Sequence, residues 1–103
     1  MSAVLWPEKD PAEELWLTFN YGPALTVGET VSLVNMSVQL KAGVDASPST
    51  FISGMAVVMG DGKVLQFARA GVDQATYLVK CVATTSSGRK LVLAGKVPVR
   101  EIA

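Results

Sequence analysis

The chain has 103 residues, half of them hydrophobic, with nine basic and nine acidic side chains, one cysteine and no histidine. That length suits one domain with its own core and is too short for two. The balanced, scattered charge offers no basic stripe for a phosphate backbone, and without histidine the commonest general base, the Ser-His and Cys-His pairings and the commonest metal ligand are missing. Nucleic-acid binding and catalysis are therefore disfavoured, and no cofactor or metal is expected. A lone cysteine cannot bridge internally, which fits folding in a reducing cytoplasm. The opening Met1 to Pro7 lacks a cationic start and a long apolar run, so no signal peptide is expected, and no stretch reaches the roughly 18 apolar residues of a membrane span.

Residues 1–14 read as an extended N-terminal arm lying against a domain of residues 15–103, because Pro7 and Pro11 remove backbone donors and bias the residues before them away from helix. Glu8, Asp10, Glu13 and Glu14 match no calcium loop and read as a solvated surface. From Leu15 the pattern alternates, with Leu15, Leu17, Phe19 and Tyr21 on one face and Trp16, Thr18 and Asn20 on the other, until Gly22-Pro23 ends it. Glu29 to Lys41 is again strand-like but changes phase, Val31 and Leu33 preceding Val34, Met36, Val38 and Leu40. An extra residue at Leu33/Val34 or a break there would keep one face inward. Ala42 to Ser49 is a loop by composition.

Phe51 to Met59 and Lys63 to Arg69 flank Gly60-Asp61-Gly62, a hairpin cue in which Asp61 serves the turn. The strongest local pattern follows. Tyr77, Val79, Cys81 and Ala83 share a face up to a Ser86-Ser87-Gly88-Arg89 turn, and Leu91, Leu93, Val97 and Val99 share a face beyond it, with Pro98 tolerable at an edge or bulge. Asp73-x-Ala75-x-Tyr77 has the spacing by which immunoglobulin-like sandwiches enter their penultimate strand, the tyrosine hydroxyl bonding back to backbone just upstream. Parity places Cys81 in the core, where a thiol without a cationic neighbour is inert. With no helical stripe, the fold expected is all-β, an immunoglobulin-like antiparallel sandwich with Tyr77, Cys81 and Gly88 as structural residues. Trp6 and Trp16 either anchor a protein partner or fold back to cover each other.

Three groups of residues carry a resemblance: Trp6-Pro7 with Lys9-Asp10-Pro11, Glu13 and Leu15; Gly28-Glu29-Thr30-Val31; and Tyr77-x-Val79-x-Cys81-x-Ala83-Thr84-Thr85-x-x-Gly88-Arg89. In this order and spacing the chain resembles a family of small immunoglobulin-like proteins of tailed bacteriophages, described as fibre-tail adaptor or virion-associated proteins. It departs from their pattern at Tyr21, where tryptophan is usual, at Ala12 and Trp16, which are often acidic, and from Val34 to Arg69, where nothing matches clearly. The resemblance implies a non-enzymatic virion structural protein, made in the bacterial host cytoplasm, that joins tail or fibre components through protein contacts. It further implies several copies per particle, partners among the tail, fibre or capsid proteins, and no nucleic-acid or membrane partner. Trp6, Pro7, Lys9, Asp10, Pro11 and Trp16 are the candidate contact residues. A capsid decoration protein and, at greater distance, a glycan-binding sandwich are the alternative readings.

Overall fold

The computed structural model describes residues 4–101, so the first three residues of the expected arm lie outside the described residues. Seven strands follow in chain order: β1 (Val4–Leu5), β2 (Leu15–Asn20), β3 (Val31–Ala42), β4 (Ile52–Val58), β5 (Lys63–Ala68), β6 (Thr76–Thr85) and β7 (Lys90–Pro98). Among the described residues the helical turns are two short 3-10 segments, Gly22–Ala24 and Pro48–Phe51, each with a proline in its first two positions, where the fixed φ is suited. One sheet has the order β1-β7-β6-β3 and the other β2-β5-β4. The protein is thus the expected all-β sandwich. Apart from β1, which pairs in parallel with β7, the named strands pair antiparallel.

The period-two pattern decides which faces turn inward. Leu17 and Phe19 of β2, Val64 and Ala68 of β5, and Tyr77, Val79, Cys81 and Ala83 of β6 are buried between the sheets. The phase change in β3 is a bulge lying slightly earlier than Leu33/Val34. Val31 pairs with Thr85 and Leu33 with Thr84, so Ser32 is the extra residue and Leu33 is turned outward, 69% exposed. The displaced residue restores Val34, Met36, Val38 and Leu40 to the side of the core.

Both expected hairpins form. At the β4–β5 turn the Lys63 amide donates to Asp61 Oδ1 at 3.2 Å, and at the β6–β7 turn the Gly88 amide returns to the Thr85 carbonyl at 3.0 Å. Gly88 takes φ +87°, a conformation that costs glycine least. Pro98 ends β7 beside the N-terminal segment. Its carbonyl accepts from the Lys9 amide, so the side on which proline lacks a donor faces that segment and leaves the β6 ladder intact.

On β7 the inward positions read Leu91, Leu93, Gly95, Val97, and the gap at Gly95 is filled from elsewhere in the chain. The Trp6 ring lies where a side chain at 95 would project, 2.7 Å from an ideal Cβ, and meets Phe19 edge-on with centroids 5.3 Å apart. The N-terminal segment thus supplies a large side chain to the core margin.

Candidate partner-binding surface

Three hydrogen-bonded clusters hold the loops around the sandwich, and they account for most of the motif residues. Lys9 is 1% exposed, its ammonium donating to the carbonyls of Ala70 at 2.7 Å and Asp10 at 3.0 Å and lying 5.6 Å from the Phe51 ring centroid. Burial holds its pKa below the ordinary lysine range, against the opposing pull of Glu13, Asp10 and Glu14. Ala70 sits at φ +60°, and the Lys9 bond to its carbonyl helps keep that left-handed residue in place. The Asp10-Pro11-Ala12-Glu13 turn is closed by the Asp10 amide on Glu13 Oε1 and the Ala12 amide on Asp10 Oδ1, each at 2.8 Å.

The second cluster centres on Tyr77. Its hydroxyl accepts from the Val72 amide at 2.8 Å, which is the backward bond expected from the Asp73-x-Ala75-x-Tyr77 spacing, and donates to Asp45 Oδ2 at 2.6 Å. Burial and then the Asp45 bond push its pKa up to about 12. The ring stacks on Phe51 with centroids 4.3 Å apart. Asp45 also takes the Ser47 amide, so the 42–49 loop is tied to the core. Tyr21, whose pKa burial also raises, sends its hydroxyl to the Cys81 carbonyl at 2.7 Å, while burial pushes the fully enclosed Cys81 thiol up.

The third cluster joins two segments that are far apart in sequence. Buried Glu29 receives Arg89 through Nη2 at 2.5 Å and Nε at 3.1 Å, the Thr85 hydroxyl at 2.6 Å, the Ser87 hydroxyl and the Thr26 amide. Those donors, Arg89 first, hold its carboxyl well below the usual range. Arg89 also reaches the Ala24 carbonyl, clamping the start of β3 and the 22–26 turn to the β6–β7 hairpin. The signal was present in the sequence as two motif segments, but nothing in either one names the other.

The remaining candidate residues converge on a cleft of about 400 Å³ between the N-terminal segment and β2. Trp6, Pro7, Lys9 and Trp16 all line it, together with Glu8, Glu13 and Leu15, whereas Asp10 and Pro11 lie in the adjoining turn outside that lining. The two tryptophans do not cover each other. Trp6 is turned to Phe19, and Trp16, 53% exposed, meets its cross-strand partner Phe67 at 5.1 Å on the outer face of the second sheet. That face continues through Leu65 and Val57, which pair across β4 and β5, into a half-exposed apolar surface that begins at the cleft. A second, shallower cavity of about 280 Å³ lies between β3 and β4, lined by Val34, Met36, Ile52, Met55 and Ala56 and closed by buried Gln66. Its Gln66 amide spans the β4 bulge to the carbonyls of Ser53 and Gly54.

Among the described residues no helix is long and apolar enough to cross a membrane. No curated protein and no solved structure matches the chain. The family model described as "Podophage GP4 fiber-tail adaptor protein gp77" matches residues 9–98, a span that takes in all three clusters and the Trp16 face. The chain belongs to this podophage fibre-tail adaptor family.

Proposed function

We propose that the protein is a non-enzymatic virion component that joins tail and fibre proteins by direct protein contact, with the outer face of β2-β5-β4 around Trp16 as its principal contact surface. The observation that carries this reading is the aromatic pair Trp16 and Phe67, left half-exposed and flanked by Leu65 and Val57 although a buried alternative was available to an alternating strand. Tryptophan at such a position is the side chain most enriched among residues that dominate protein interfaces. Family membership supplies the class of partner. The elongated body, 46 × 20 × 20 Å, leaves opposite ends that two partners can hold at once.

Trp16→Ala tests this directly, because the residue faces outward and its loss leaves the core intact. Association with tail or fibre proteins, measured by co-purification and by the amount of protein in assembled particles, is expected to weaken by about 30-fold, corresponding to about 2 kcal/mol. Normal incorporation of the variant at wild-type copy number would move the interface elsewhere. A capsid decoration role would instead give saturable binding to assembled shells that lack tails.

A further inference from the structure

We propose that the cleft between the N-terminal segment and β2 receives an arginine or lysine side chain from the partner protein. This deepens the adaptor reading and rests on it for the partner's identity, though not for the chemistry of the cleft. The lining includes Trp6 and Trp16, each with its ring held by another, Trp6 against Phe19 and Trp16 against Phe67, and Leu15 adds apolar surface. Glu8 and Glu13 share that lining. The Asp10 amide bonds Glu13 through Oε1, and neither Glu8 nor Glu13 takes part in an ion pair among the described residues. The one cation of the lining, Lys9, directs its ammonium to the carbonyls of Asp10 and Ala70 and lies 5.6 Å from the Phe51 ring centroid, so it acts on Glu13 only at a distance and forms no ion pair with either carboxylate.

Such a site matches one kind of side chain. A long aliphatic stem covers Leu15 and the indole faces while its cationic head reaches the carboxylates. Cation–π attraction to tryptophan and the charge of Glu8 and Glu13 act in the same direction. A neutral apolar side chain would leave both carboxylates without a counter-charge. An acidic one would be repelled, and a sugar would use the indoles without needing the acids.

The test is an NMR titration of the ¹⁵N-labelled full chain with N-acetyl-arginine amide, following the indole N–H signals of Trp6 and Trp16, with N-acetyl-norleucine amide and methyl glucoside as comparison probes. Saturable shifts with the arginine probe in the roughly millimolar range are expected, as suits a single side chain. Glu8→Gln/Glu13→Gln, which keeps the Glu13 acceptor for Asp10, should weaken them about threefold or more. Equal shifts with norleucine amide or glucoside, or none with arginine at about 50 mM, would overturn the proposal. Particle incorporation separates the two readings. If the double Gln variant enters particles normally while Trp16→Ala does not, the cation site falls and the adaptor surface stands. If the wild-type chain is absent from particles, the adaptor reading falls and the titration still decides the cleft.

Discussion

Tyr77 shows how one hydroxyl can organise two loops. It takes the Val72 amide and gives its proton to Asp45, so Tyr77→Phe leaves a partly buried N–H and a carboxylate oxygen without partners. A loss of about 1–3 kcal/mol is expected, read as a lower urea midpoint at unchanged slope. An unchanged midpoint would mean that water replaces the hydroxyl at no cost. Lys9 contributes differently, since its charge is desolvated yet both of its hydrogen bonds go to carbonyls. Lys9→Met keeps the stem, removes the charge and strands the Ala70 carbonyl, and a destabilisation of about 1–3 kcal/mol is expected.

Glu29 makes acid stability a residue-level property. Its folded pKa is depressed below the ordinary value of about 4.5, so its contribution is present above that value and is lost as pH falls toward the folded pKa. The wild-type melting temperature should therefore drop as the solution is taken from about pH 5 downward. Glu29→Gln, less stable at pH 7, should show a flatter profile across that window, measured by thermal melts at successive pH values. Parallel profiles for the two proteins would place the acid sensitivity at other carboxylates.

At the scale of elements, the N-terminal segment and β7 fold as one unit. Gly95 leaves a gap in the inward row of β7, and the Trp6 ring fills it. Gly95→Ala would push a methyl group into that ring, and because the ring is also held by Phe19, it has to move as a whole. A cost of about 1–3 kcal/mol is expected, together with a red-shifted, more quenchable Trp6 emission in a Trp16→Phe background. Unshifted emission would show that the ring rotates within its slot. The same geometry makes truncation costly, because residues 1–12 include both Trp6 and the buried Lys9. Removing them should destabilise the sandwich by more than Lys9→Met alone. Loss of particle binding in a truncated protein therefore has to be compared with Trp16→Ala before it is assigned to a contact.

For the molecule as a whole, period-two alternation and the two Gly-containing turns determined the all-β class, the boundaries of β2 to β7 to within a residue or two, and the inward faces of β2, β6 and β7. These are local properties, because each residue's side of a strand is set by its immediate neighbours. Order and spacing of the motifs carried the family as well. The tertiary structure alone decided that Glu29 meets Arg89, that Trp6 occupies the space above Gly95, that Asp45 ties a loop to Tyr77 and that Lys9 turns inward while Trp16 stays out. Each of these depends on contacts between residues far apart in the chain that meet only in the folded molecule. Alternation assigns a side chain to a face of its strand, but it cannot say which distant segment will cover that face.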